Sequence, residues 1–116
     1  MEFENLKREI AEFCQVRDWD QYHDIKELAI GMITEASELL EIFRFRSREE
    51  SEALLRSPQE RMRIEDELAD VLFFLLRISQ KYDVDLAQAL ARKMKKNAEK
   101  YPVEKARGSN RKYDQL

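Results

Sequence analysis

Hydrophobic side chains recur every three or four positions along most of the chain, which is the periodicity of an amphipathic α-helix. We find no stretch in which hydrophobic and polar residues alternate as they do in a β-strand. The pattern predicts helices at about residues 3–16, 24–45, 48–56, 58–81 and 85–100, followed by an irregular tail from Tyr101 onward. One position breaks the pattern, because the acidic Glu35 falls on the otherwise apolar stripe of the second helix.

Pairs of residues with the spacing of a capping box indicate where these helices begin. The pairs are Asp24 with Glu27, Ser47 with Glu50, Ser57 with Glu60, and Asp85 with Gln88. The chain has only two glycines and two prolines, and Pro58 stands at a first-turn position where its missing N–H does no harm. We therefore predict an all-α fold, a bundle of four to five helices that forms one domain over residues 1–116.

The composition of the chain and the length of its apolar runs further limit the class of protein that we expect. With 43% hydrophobic residues and a single cysteine, Cys14, the chain is expected to form an apolar core without an internal disulfide framework. The longest apolar run, Val71 to Leu76, is too short to cross a bilayer, and the acidic start with Glu2 and Glu4 is unlike a signal peptide. We expect a cytoplasmic protein with no membrane partner.

The charges are distributed unevenly along the chain. The formal net charge is −3, but the segment from Arg92 to Leu116 carries nine basic and three acidic residues. The remainder carries 12 basic and 21 acidic residues. A basic tail is typical of a solvated surface, a nucleic-acid arm or a phosphate clamp. The acidic body and the lack of a recognised binding motif disfavour nucleic acid as a partner.

Two pairs of carboxylates lie beside the apolar faces of the second and fourth helices. Glu35 and Glu38 are three residues apart, as are Glu67 and Asp70, so each pair points to roughly one side of its helix. Either pair alone is common on an acidic surface. Antiparallel packing of the two helices would bring the pairs together. The carboxylates would then repel one another, and a hard cation such as Mg²⁺ would be needed to compensate their charge. A di-iron centre is disfavoured, since it uses Glu-x-x-His motifs and His23 is the only histidine.

These pairs, separated by 28 residues, resemble the signature of the all-α nucleoside triphosphate pyrophosphohydrolases, the MazG-like family. The likeness continues through RDWDQYH (17–23), EASELLEIF (35–43), EDELADVL (65–72) and KNAEKYPVEKARGSNRKY (96–113). It covers about the whole chain and is strongest to the dCTP pyrophosphatase-like branch.

The resemblance implies an enzyme that splits a nucleoside triphosphate, dCTP or a modified relative, into monophosphate and pyrophosphate. It implies Mg²⁺, or Mn²⁺ in its place, held by Glu35, Glu38, Glu67 and Asp70. Glu35 or Glu38 would orient the attacking water. It also implies a homodimer or homotetramer, an assembly that the broad apolar faces of the helices favour as well.

The resemblance further assigns residues to the substrate. The candidates near base, sugar and phosphates are Trp19, His23, Phe45, Phe74, Lys93, Lys96, Asn97, Tyr101, Arg107, Arg111 and Lys112. Phe45 and Phe74 stand where relatives have a tryptophan and a tyrosine, which predicts a pocket that reads base edges less strictly. The alternative hypotheses are a non-catalytic nucleotide-binding or regulatory helical oligomer, and a purely structural one.

Overall fold

The structure, a computed structural model, describes residues 2–116, with side chains from Phe3 onward. These residues form helices and turns without a strand, which confirms the all-α prediction. The helices are α1 (Glu2–Val16), α2 (Ile25–Phe43), α3 (Arg48–Leu54), α4 (Pro58–Tyr82), α5 (Leu86–Lys100) and α6 (Val103–Ala106). Single 3₁₀ turns occupy Asp20–Tyr22 and Tyr113–Gln115. None of the described helices is both long and apolar enough to cross a membrane.

Three of the four predicted caps form as hydrogen bonds. Ser47 and Glu50 make both bonds of a capping box, with Glu50 N donating to Ser47 Oγ at 3.1 Å and Ser47 N donating to Glu50 Oε1 at 2.7 Å. Asp24 and Asp85 each accept a bond from the backbone three residues later. The prediction for Ser57 is wrong, since its side chain makes no capping bond. Pro58, whose ring presets the helical φ, begins α4 without that bond.

The boundaries differ from the prediction where the backbone leaves helical geometry. Helix α2 ends at Phe43 rather than at residue 45, because the backbone becomes extended at Arg44, with ψ 135°, and left-handed at Phe45, with φ 66°. Helix α3 stops at Leu54, two residues before the predicted end. Helix α4 continues to Tyr82 and ends at Asp83, which is also left-handed, with φ 54°. The tail is less irregular than predicted, since it contains α6 and a 3₁₀ turn.

The chain divides into two compact units, one ending at Asp83 and the other running from Val84 to Leu116. In the first unit α2 packs along α4, and α1 packs against α4 as well. Its buried apolar side chains are Cys14, Leu28, Ile42, Ile64 and Leu76. Gly31 allows α2 to approach α4 closely, because a methyl group at that position would collide with the ring of Phe74.

The second unit is small and is held partly by aromatic contacts of its own. The rings of Tyr101 and Tyr113 meet edge to face with centroids 6.1 Å apart, and Lys100 Nζ lies 4.7 Å from the Tyr113 centroid. The single domain expected from the sequence stays a prediction.

Candidate functional site

The packing of α2 against α4 brings acidic side chains together. Glu35, Glu38 and Glu67 each offer a carboxylate oxygen, and these oxygens lie within 4.8 Å of one another. Glu35 and Glu67 are partly buried, whereas Glu38 is exposed. Asp70 lies one turn beyond Glu67 on α4, outside this group of three. We call Glu35, Glu38 and Glu67 the acidic cluster.

The acidic cluster is electrostatically uncompensated. One oxygen of Glu35 and one of Glu67, Oε2 in both, are buried without a hydrogen-bond partner among the described residues. A hydrogen bond with the Glu38 carboxyl, burial, and the charges of Glu38, Asp70 and Glu67 raise the pKa of Glu35 to about 7. Burial, followed by the charge of Glu38, raises the pKa of Glu67 as well. Without a cation, the folded chain therefore favours protonation of this cluster.

The donor set of the acidic cluster fits a hard divalent cation. All three residues supply carboxylate oxygens, which are the ligands that Mg²⁺ and similar ions take in proteins. The two unpartnered oxygens also need a positive partner, because a buried polar atom without one is costly. An ordinary surface acid would instead face water.

A series of aromatic rings runs from the loop after α1 to helix α2 at Gly31. Trp19 meets Phe13 edge to face at 5.5 Å, Phe13 meets Phe73 at 6.2 Å, and Phe73 meets Phe74 at 5.2 Å. Phe74 in turn packs on Gly31, which lies one helical turn before Glu35. Two of the predicted substrate residues, Trp19 and Phe74, are thus the ends of one aromatic wall in the first unit.

His23, another predicted substrate residue, is held by a buried arginine. The Nε of Arg77 donates a hydrogen bond to His23 Nδ1 at 2.9 Å, and the same guanidinium bonds to Asp20 and Gln80. The rings of Trp19 and His23 lie 6.2 Å apart. The structure therefore brings Trp19 and His23 together.

The remaining substrate candidates belong to other segments of the chain. Phe45 follows α2 with 91% of its surface exposed, and the Arg44 guanidinium lies 4.5 Å from its ring centroid. The second unit contains the other predicted residues, with Lys93, Lys96 and Asn97 on α5, Tyr101 at its C-cap, Arg107 after α6, and Arg111 and Lys112 before the last turn. Their participation in the site stays a prediction.

Our sequence analysis missed Arg77, Asp20 and Gly31. Arg77 is the one charged residue in the segment VLFFLLRIS, and its position after a long apolar run is a signal that it is buried. Asp20 and Gly31 gave no comparable signal, since an acid in a polar turn and a glycine in a helix each have many local explanations.

Comparison with known proteins places the chain in a family. Residues 30–116 match the MazG-like family. The dCTP pyrophosphatase 1 of Bos taurus is 39% identical over 113 residues, which are 97% of this chain and 67% of that protein. Its Homo sapiens counterpart is 38% identical over 113 residues, 97% of this chain and 66% of that protein. This chain therefore spans about two thirds of the length of these relatives.

A solved structure supports the same assignment. A pyrophosphatase from Archaeoglobus fulgidus superposes with a TM-score of 0.81 at 38% identity, covering 88% of this chain and 94% of that one. The chain belongs to the MazG-like family, as its sequence motifs predicted.

Proposed function

We propose that this chain is a nucleoside triphosphate pyrophosphohydrolase that converts dCTP, or a modified relative, to the monophosphate and pyrophosphate. The observation that carries the proposal is the acidic cluster, with its two unpartnered buried oxygens, in a MazG-like chain. The 38–39% identity to dCTP pyrophosphatases supports the choice of substrate.

In this proposal Glu35, Glu38 and Glu67, together with Asp70, hold Mg²⁺, with Mn²⁺ as a substitute. An ion held there would supply positive charge to the phosphate oxygens and would make a bound water more acidic. The protein holds these carboxylates on two helices that are packed closely at Gly31, so the cluster is preorganised. Glu35 or Glu38 orients the attacking water towards the α phosphorus, in line with the departing pyrophosphate.

The base would lie against the aromatic wall, between Trp19, His23 and Phe74, and Phe45 would contribute from the end of α2. The basic residues of the second unit, Lys93, Lys96, Arg107, Arg111 and Lys112, would bind phosphates, for which ammonium and guanidinium groups are well suited. Asn97 and Tyr101 would contact base and sugar. In this proposal, residues 1–116 form one functional domain.

We also propose a homodimer or a homotetramer. Large apolar side chains remain exposed on both α2 and α4, among them Ile33 at 66%, Leu40 at 70% and Leu68 at 51%. Such exposure over two packed helices is typical of a surface that a second copy covers. Light scattering at micromolar concentration tests this point, and a monomer mass would contradict it.

Product analysis with the eight common nucleoside triphosphates, with and without Mg²⁺, tests the proposed reaction. We expect Mg²⁺-dependent release of pyrophosphate and monophosphate, with dCTP among the better substrates. Release of a diphosphate and inorganic phosphate would mean attack at the terminal phosphorus and would reject the proposal. Nucleotide binding without any turnover would instead favour the non-catalytic, regulatory alternative.

A further inference from the structure

We propose that Arg77 is a positioning residue that fixes His23 in the tautomer with its hydrogen on Nε2, so that His23 offers the nucleotide base an uncharged hydrogen-bond donor. The identity of the ligand rests on the proposed function. The tautomer does not, because it follows from contacts within the first unit.

The hydrogen bond between the two side chains determines the tautomer. Arg77 is buried, with 2% of its surface exposed, and its Nε lies 2.9 Å from His23 Nδ1. A guanidinium has only hydrogen-bond donors, so Nδ1 must accept with its lone pair. A neutral imidazole that accepts at Nδ1 carries its hydrogen at Nε2.

The other contacts of Arg77 keep this geometry in place. Its two terminal nitrogens donate to Gln80 Oε1, at 2.6 Å, and to Asp20 Oδ1. Lys81, one turn later on α4, donates to the backbone carbonyls of Asp20 and His23. Two cations of α4 thus hold the loop between α1 and α2, and the guanidinium has little freedom to turn away from the imidazole.

The charges around His23 also favour its neutral form. The charged groups that face it are Arg77 and Lys81 from α4 and Asp20 from the loop. Burial, then the charges of Arg77 and Lys81, lower the pKa of His23, and Asp20 opposes them only in part. Protonation would also add a hydrogen to Nδ1, directly opposite the N–H of Arg77, and the ring would then have hydrogens on both nitrogens.

The Nε2 edge of the imidazole remains available to a ligand. Within the described part of the chain, His23 Nε2 has no hydrogen-bond partner. The Trp19 ring lies 6.2 Å from the His23 ring and offers a flat apolar surface beside it. An aromatic surface next to an uncharged donor suits a nucleobase with a carbonyl oxygen better than it suits a phosphate, which favours cationic partners.

The single histidine makes the tautomer directly measurable. In tag-free, ¹⁵N-labelled protein, long-range ¹H–¹⁵N correlation spectra assign both ring nitrogens to His23 without ambiguity. At pH 8 we expect one neutral tautomer, with hydrogen on Nε2, and on acidification we expect a titration with a pKa below the ordinary 6.5. A wild-type spectrum with the hydrogen on Nδ1, or with a mixture of tautomers, overturns the proposal.

Two substitutions on α4 separate the hydrogen bond from the positive charge. Arg77→Met removes both, so we expect a mixture of tautomers and a higher pKa for His23. Lys81→Met removes a nearby charge that bonds to the backbone carbonyls of Asp20 and His23 and leaves the imidazole contact intact, so the pKa of His23 should rise while the single tautomer persists. A single Nε2–H tautomer in Arg77→Met also overturns the proposal, and if that variant does not fold, the wild-type spectrum decides.

Adding a non-hydrolysable dCTP analogue with Mg²⁺ tests the positioning role. We expect the Nε2–H signal to shift on binding and the dissociation constant to rise about tenfold in Arg77→Met, equivalent to about 1.4 kcal/mol. An unchanged Nε2–H signal in nucleotide-bound wild type rejects the role of His23 as a donor. Absence of any nucleotide binding rejects the proposed function and this role together, whereas the tautomer result is independent of it.

Discussion

Helix α4 contributes to two polar regions that differ in whether their buried polar atoms have partners. Near its middle, Glu67 joins Glu35 and Glu38 from α2, so every charge in the cluster is negative, and two buried oxygens have no partner within residues 3–116. Near its C-terminal end, Arg77 is more deeply buried, yet its nitrogens meet His23, Gln80 and Asp20.

The difference separates a polar group that has its partners within the fold from one that could hold a ligand. A network whose donors and acceptors are matched fixes the local structure, because each group has its partner without outside help. A cluster of one sign repels itself until a cation joins it or a proton neutralises one of its members. The balanced network around Arg77 therefore positions the loop, whereas the acidic cluster is the candidate centre of the chemistry.

The largest expected effect comes from removing one charge of the acidic cluster. Glu67→Gln keeps the shape of the side chain, and we expect activity to fall on the order of a hundredfold or more, as when an electrostatic contribution to the transition state is lost. The metal-free variant should be as stable as the wild type or more so, because repulsion is relieved. Steady-state kinetics and metal-free melts measure both quantities.

Glu65→Gln is the matched control for that experiment. Glu65 lies two residues away on α4 but pairs with Arg61 at 3.3 Å on the surface, so its loss should leave activity intact. Retained activity in Glu67→Gln would show that the acidic cluster is not the catalytic centre.

The second-largest expected effect is the stabilisation of the folded chain by a metal ion bound at the acidic cluster. An ion that binds only the folded chain raises its free energy of unfolding by about 2.7 kcal/mol at roughly a hundred times the dissociation constant. We expect Mg²⁺ to raise the melting temperature of the wild type and to raise that of Glu67→Gln less. Equal shifts in the two proteins would indicate a binding site elsewhere.

The same chemical change in the balanced region should have the opposite sign. Asp20→Asn removes an acid that pairs with the buried Arg77, so we expect a loss of about 1–2 kcal/mol in the free energy of unfolding, since the guanidinium loses its counter-charge. Chemical denaturation of Asp20→Asn beside Glu67→Gln measures the contrast. A stabilised Asp20→Asn would mean that the two regions do not differ as described.

The smallest effect is a pH dependence, because Glu35 is only partly buried and water screens its neighbours. A carboxyl whose pKa is raised to about 7 in the folded state stabilises the protein at low pH. That contribution is lost as pH rises from about 4.5 through 7. In metal-free buffer, Glu35→Gln should therefore gain stability relative to the wild type between pH 5 and pH 8.

Glu41→Gln serves as the control for the pH series, since Glu41 is an exposed acid of the same helix that pairs with Arg44. Its difference from the wild type should stay nearly constant over the same range. A constant difference for Glu35→Gln as well would indicate that the Glu35 carboxyl does not interact with the cluster in solution.

Many structural features of this molecule can be predicted from local sequence patterns. The period of the hydrophobic residues predicted the helices, and Asp24, Ser47 and Asp85 marked three of their starts, because a cap involves only residues three positions apart. The pairing of Glu35 with Glu38 on one side of α2 follows from the helical repeat in the same way.

Other features depend on what lies across the helix interface, which no local pattern specifies. Gly31 determines how closely α2 approaches α4, because a side chain there would meet Phe74, and that approach brings the carboxylates of two helices within reach of one ion. The backbone also leaves helical geometry at Arg44, so α2 ends earlier than the helical pattern predicted.

The contrast between the two polar regions likewise has one part that local sequence predicts and one part that depends on helix packing. The sequence alone was sufficient to identify the all-α class and the family, since these depend on residue type and spacing along the chain. It also singled out the four acids, whose role stays a prediction. Only the tertiary structure revealed that Arg77 and His23, 54 positions apart, share a hydrogen bond. Partners so distant in sequence are chosen by helix packing, which depends on the shapes of many side chains at once.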